Sequence, residues 1–305
     1  MRLEKPSVPP YLGIGFGVLA ASTASIFIRY AQTDGVPSLV IAAARLTIAA
    51  LILLPLALAR HRAEVARLTR RDLGLVVASG AFLALHFATW ISSLAYTSVA
   101  NSTVFVTISP LFVAVIAAIF LREKLTGFTG LGIALALVGS LIVGVSDACG
   151  GLAGCPSPSE FVRGDGFLGD MLALAGALAI AAYFIIGRFL RATMSLIPYI
   201  FLTYSSAALV LLGVVLASRT PLDIQPRAGL WLLLLALVPQ LIGHSSFNWA
   251  LKYLPATFVS VTVLGEPIGS TALAVLLLGE TPTPFKIIGG ALILGGIVAA
   301  ARRES

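Results

Sequence analysis

Apolar runs of about twenty residues follow one another along almost the whole chain, and this constrains the fold before any motif is read. A hydrocarbon core of roughly 30 Å needs about 20 helical residues at 1.5 Å each. Inside that core the backbone has no water to bond, so each run is expected to cross as a helix. Only 11% of the 305 residues are charged, and the mean hydropathy is +1.01. Soluble domains carry about a quarter charged residues. The expected class is an all-α polytopic membrane protein.

Turn-forming clusters divide the runs into ten spans, roughly 11–31, 37–59, 72–96, 100–121, 127–146, 167–190, 197–217, 228–252, 256–278 and 284–301. The cuts fall at "TDGVP", "REKLTG", "KYLP" and "GETPTP". The N-terminus resembles a secretory signal, with "MRLEK", an apolar stretch and "AASTAS". It is expected to be retained, because the duplication below needs it as a helix. The longest connector, "DACGGLAGCPSPSEFVRGDG", lies at the midpoint. The expected domains are therefore 1–146 and 167–305, five spans each, joined by a periplasmic connector at 147–166.

The two halves share a pattern at an offset of 157 residues. Tyr96 meets Tyr253, Pro110 meets Pro267, Glu123 meets Glu280, Gly132 meets Gly289 and Gly139 meets Gly296. An odd number of spans per half puts the second copy in the membrane upside down. Basic residues fix which way round. With both termini inside, Arg2, Lys5, the connector "RHRAEVARLTRRD", Arg122, Lys124, Arg188, Arg191, Lys252, Arg302 and Arg303 face the cytoplasm. Only Arg163, Arg219, Arg227 and Lys286 fall on the outer face, so N-in and C-in is expected. The net charge of +7 is thus a topology signal, and no nucleic-acid partner is expected. An inverted repeat of this kind is a signature of secondary transporters.

The pattern Y-x(13)-P-x(12)-E-x(8)-G-x(6)-G, starting once at Tyr96 and once at Tyr253, resembles the EamA repeat of the drug/metabolite transporter superfamily. The resemblance covers both halves, and the chain is most similar to bacterial aromatic-amino-acid exporters. It implies ten helices related by a pseudo-twofold axis. It also implies a cavity among spans one, three, four, six, eight and nine, and export of small metabolites across the inner (cytoplasmic) membrane of a bacterium. A multidrug or sugar-derivative carrier is the alternative within transport. An intramembrane enzyme or a channel is the alternative outside it. The chain shows no HExxH, GxSxG or GxxxxGK[ST], and no rings of like charge.

Polar side chains in the spans supply the candidate site. His86, Trp90, Ser93 and Thr97 share one helical face of span three. Gln240, His244 and Asn248 recur at four-residue steps in span eight, with Phe247 and Trp249 beside them, and Thr262, Glu266 and Ser270 do so in span nine. Three such stripes must face one another or a wet cavity. Rings, amides and hydroxyls together suit a zwitterion with an apolar or aromatic side chain. A lone Ser or Thr, by contrast, more often bonds its own backbone or a neighbouring helix. The expected substrate-binding set is His86, Trp90, Asn101, Tyr183, His244, Asn248 and Glu266.

Glu266 is the sharpest of these signals. A carboxylate at mid-membrane costs about 2.5–3.5 kcal/mol, so it must be paired, protonated or wet. Its roles are proton coupling, a partner for a substrate ammonium, or a brace against Arg45 in span two. For Arg45 itself the residues leave two readings, an anchor for the fold or a seat for a substrate carboxylate, and the resemblance favours the anchor. Pro110 and Pro267 are the expected hinges. No cofactor and no metal are expected; the partners are a small-molecule substrate and lipid, with protons as a further partner if Glu266 serves coupling, passive, proton-coupled and exchange energetics all staying open, and the protein is expected to be a monomer. Cys149 and Cys155 share the midpoint connector, and both a disulfide and two unlinked thiols remain open.

The topology is tested by thiol labelling in a chain whose Cys149 and Cys155 are replaced by Ser, a change expected to leave transport intact. Single cysteines beside Arg62 or after Arg303 should resist a membrane-impermeant reagent in intact cells, while single cysteines within 149–165 should react. Labelling of the arginine-rich connector from outside would reverse the orientation.

Overall fold

Helix breaks, more than the helices themselves, organise the chain. The computed structural model describes residues 8–93, 96, 102, 105–149, 165–222, 224–278 and 282–301. Among these the secondary structure is helical, without strands. The first half contains α1 (Pro10–Thr33), α2 (Ser38–Arg60), α3 (Arg70–Ser93), α4 (Ser109–Phe120) and α5 (Gly127–Cys149). The second contains α6 (Asp165–Arg191), α7 (Leu196–Ala217), α8 (Pro226–Ala250), α9 (Ala256–Val263 continued by Glu266–Leu278) and α10 (Pro284–Ala301). Six helices among the described residues are long and apolar enough to cross a membrane: α1, α2, α3, α6, α7 and α8. The helix of α4 is shorter than the expected span at 100–121, and α9 is interrupted. Of the midpoint connector, residues 150–164 lie outside the described residues, as does Glu280.

The interruptions recur at matched places. In α9 the Gly265 amide bonds Thr262 O at 2.9 Å and the Ile268 amide bonds Gly265 O at 3.1 Å. Before α4 the Ile108 amide bonds Phe105 O at 3.3 Å and the Leu111 amide bonds Ile108 O at 2.9 Å. These are the same tight i→i−3 bonds, displaced by 157 residues. Pro110 and Pro267 each follow such a turn, in the first turn of the next helical piece. There a missing N–H costs no helical hydrogen bond. Each proline, expected as a hinge, opens a helical piece, and the break precedes it.

Further irregularities gather in one place. α1 is interrupted at Ser22–Thr23, and the Ser22 carbonyl accepts from Ser270 Oγ at 3.0 Å. The middle of α8, Ala236–His244, is wound as a π-helix around Pro239, which offers no N–H to the ordinary ladder. A Cβ on Gly243 would lie 3.0 Å from the Ala21 amide, and one on Gly269 would overlap Ser22. The break in α1, the wide turn of α8 and the second piece of α9 therefore meet at Ala21–Ser22. Non-helical backbone inside a membrane protein is tolerated where other protein covers it.

The helices pack through small residues. α5 and α10 approach so closely that a Cβ on Gly132 would lie 2.6 Å from Gly296 O, and one on Gly139 would lie 2.5 Å from Gly289 O. The contacts exchange under the 157-residue offset, since Gly132 corresponds to Gly289 and Gly139 to Gly296. A second pair resembles this one in its partners, since Gly243, Ser246 and Phe247 lie 157 residues after His86, Thr89 and Trp90, although its two glycines are 159 residues apart. Gly17 on α1 packs on Gly243 O, Ser246 and Phe247 of α8, while Gly176 on α6 packs on His86 O, Thr89 and Trp90 of α3. Lipid supplies no hydrophobic drive between helices, so close backbone approach and dispersion must hold them together.

At the end bearing the arginine-rich connector, Glu123 joins the halves. Its carboxylate accepts from the Ala256 amide at 3.0 Å and from Thr257 Oγ1 at 3.2 Å, which caps the N-terminus of α9. Arg188 Nε lies 3.6 Å from the same carboxylate, and its Nη1 donates to Leu251 O at 2.6 Å. A cleft of about 540 Å³ opens there, lined by Arg71, Asp72, Glu123, Arg188 and Lys252 among others.

The glycine seam makes a prediction of sign. Gly139→Ala and Gly296→Ala force a methyl into backbone and should each lower thermal stability in detergent, by about 1–3 kcal/mol. Gly295→Ala meets nothing within 4 Å and should be neutral or slightly stabilising. Equal melting temperatures for all three variants would refute the close seam.

Candidate functional site

The polar stripes predicted on α3 and α8 face each other. His86 Nδ1 lies 2.9 Å from Gly176 O on α6. A carbonyl only accepts, so Nδ1 carries the hydrogen and Nε2 is left without it when the ring is neutral. The His86 ring stacks on Trp90, with centroids 5.9 Å apart and planes 8° apart, and lies 5.0 Å from Phe87. Phe87 in turn meets His244 edge-on at 5.3 Å, and His244 meets Phe247 at 5.7 Å. The result is a continuous aromatic wall from Trp90 through His86 and Phe87 to His244 and Phe247.

Asn248 closes one side of this wall. Its Nδ2 donates to Tyr183 Oη at 2.5 Å and to His244 O at 2.8 Å, and lies 3.4 Å from Tyr204 Oη. Tyr204 Oη is 3.2 Å from Ser245 Oγ. Beyond Asn248, Arg191 Nε donates to the Asn248 carbonyl at 3.0 Å. Buried polar groups are normally bonded, yet several here are not: Asn248 Oδ1, His244 Nδ1, both side-chain ends of Gln240 and all three nitrogens of Arg45. These unbonded atoms make the cluster the candidate binding site.

Two charges stand in this region. Arg45, on α2, is 1% exposed, with its guanidinium carbon 4.2 Å from the centre of the Phe87 ring. A desolvated cation over a ring gains about 2 kcal/mol. Glu266 is half-buried and opens the second piece of α9. It therefore stands at a helix N-terminus, where the helix dipole favours negative charge. Arg45 and Glu266 are within electrostatic range of each other, but the ion pairs of the described residues do not include them.

His86, Trp90, Tyr183, His244 and Asn248 are thus brought together, and Glu266 is linked to them through Arg45 and Phe87. Asn101 lies outside the described residues, as does Thr97. The remaining hydroxyls serve the fold: Ser93 Oγ bonds Trp90 O, Thr262 Oγ1 bonds Phe258 O and Ser270 Oγ bonds Ser22 O. Sequence reasoning passed over Tyr204 and Phe87. Tyr204 lies in the apolar run of α7 without polar neighbours at helical spacing, so no pattern marks it.

Comparison with known proteins agrees with this architecture. The EamA-like transporter family model matches residues 9–145 and 167–302. A transporter of uncharacterized function from Archaeoglobus fulgidus is 26% identical over 299 residues, covering 96% of this chain and 97% of its own. A probable terminal-alkyne amino-acid exporter from Streptantibioticus cattleyicolor is 25% identical over 261 residues, 85% of this chain and 82% of its own. A solved crystal structure, 21% identical, superposes over 96% of both chains with a TM-score of 0.76, which shows a shared fold. The chain belongs to the EamA-like transporter family, within the drug/metabolite transporter superfamily.

Proposed function

We propose that the protein exports amino acids with apolar or aromatic side chains across the bacterial cytoplasmic membrane. Ten helices, arranged as two inverted five-helix halves with both termini inside, would rock about the central site and expose it to each side in turn. The observation that carries this reading is the Glu266 carboxylate. It is half-buried, opens a helical piece, forms no ion pair among the described residues, and is in electrostatic range of Arg45, which covers the Phe87 ring of the aromatic wall. A carboxylate attracts an ammonium group, and rings accept an apolar side chain.

Other features support the same reading. The family match falls in two stretches that coincide with the proposed halves, 1–146 and 167–305. Glycine contacts and helix breaks repeat between those halves. The name of the Streptantibioticus relative points to an amino acid as cargo. Alternating access also requires a joint that can open, and the Glu123–Arg188 cap on α9 is such a joint at the cytoplasmic end. Pro110 and Pro267, each placed just after a break, are the hinges of this scheme. Transport needs no covalent chemistry, and no cofactor enters it.

Glu266→Gln separates the roles open to the carboxylate, with purified protein in liposomes and a labelled amino-acid panel. If Glu266 holds the substrate ammonium, binding should weaken at every pH, because a charged partner is lost. If it carries a proton, gradient-driven transport should fail while exchange survives. Wild-type transport with an unchanged pH profile in well-folded Glu266→Gln protein would remove the carboxylate from the mechanism.

A further inference from the structure

We infer that Arg45 is the receptor for the substrate's carboxylate, so that a zwitterion is held head group first between Arg45 on α2 and Glu266 on α9. The inference deepens the amino-acid reading and rests on it.

Arg45 has every property of an ion waiting for a partner. It is 1% exposed, and Nε, Nη1 and Nη2 all lack hydrogen bonds. Its one aromatic contact, the Phe87 ring at 4.2 Å, attracts the charge but leaves the guanidinium N–H groups without an acceptor oxygen. Anchoring the fold through a carboxylate would require an acid within ion-pair distance, and the ion pairs of the described residues leave Arg45 out. A buried cation without a bonded anion is costly, and a substrate carboxylate would relieve that cost.

The geometry narrows that anion to one carried in from outside. Glu266 stands on a different helix, at a helix N-terminus that already favours its charge. Two opposite charges kept apart in a low-dielectric region fit a ligand that carries both charges itself. A carboxylate matches the planar guanidinium fork through two parallel hydrogen bonds, which a lysine could not offer. The ammonium then faces Glu266. Phe87, His244 and Phe247 stand beside the Arg45 end of this axis, so the apolar side chain packs against them. His244 Nδ1 and Asn248 Oδ1, both buried and unpartnered, remain to bond the ligand's polar atoms.

The test compares ligands on the wild-type transporter before any variant is made. Purified protein in liposomes is loaded with a labelled apolar or aromatic amino acid (L-leucine, L-phenylalanine and L-tryptophan in turn). Each is competed with its own unlabelled form, its decarboxylated amine and its methyl ester. The amine and the ester should compete at least about tenfold more weakly than the parent, since each lacks the anionic group. Arg45→Gln should remove that discrimination, and Arg45→Lys should restore part of it. Equal competition by amine and amino acid would overturn the role of Arg45 while leaving amino-acid export standing. Failure of every compound in the panel to exchange would overturn both readings. If Arg45→Gln does not fold, the wild-type ligand series still decides.

Discussion

Backbone that crosses hydrocarbon must bond to itself, and this protein departs from that requirement only where other protein covers the departure. The turn before α4, the break in α9, the interruption of α1 and the π-helical part of α8 are the departures among the described residues. Three of them meet at Ala21–Ser22, where the free Ser22 carbonyl is satisfied by Ser270 and small residues let the backbones touch. These breaks account for the position of Glu266 and for the close packing around Ala21–Ser22. They turn backbone dipoles inward, supply helix starts for charged groups, and require tight glycine packing around them.

The break in α9 explains why a glutamate is sustainable there at all. In a continuous helix every amide of the surrounding turns would be spent on the ladder, and the carboxylate would depend on side chains alone. Glu266 instead opens a helical piece, where the aligned peptide dipoles favour a negative charge. The corresponding residue of the first half, Ser109, opens α4 in the same way but brings no charge. The two halves thus share a scaffold, while the ionic chemistry is written into one of them.

Much of this was legible in the sequence, and what was not has physical reasons. Hydropathy located the helices, and four-residue spacing put Gln240, His244 and Asn248 on the inner side of α8, where all three are buried. The expectation that hydroxyls serve the backbone holds for Ser93, Thr262 and Ser270. The breaks themselves were not legible in position. Leu264 and Gly265 look like any apolar stretch, and proline marks the piece that follows a break as readily as a kink within a helix. Nor does spacing reveal that Arg45 stops short of Glu266, because which charges touch is decided by packing between helices distant in sequence. Tyr204 escaped for the opposite reason: the residues three and four positions to either side of it are apolar, so it belongs to no stripe.

The α5–α10 seam has a consequence for ancestry. Its glycine contacts map onto themselves when the halves are exchanged, which is the defining property of an isologous interface. A surface of that kind is complementary to its own copy. One five-helix unit bearing Gly132 and Gly139 would already possess the face needed to bind a second, identical unit. Fusion of the two into a single chain would then have required no new contact at this seam, only a connector between them. Copies joined in that way would be free to diverge, and a carboxylate could enter one half without being imposed on the other.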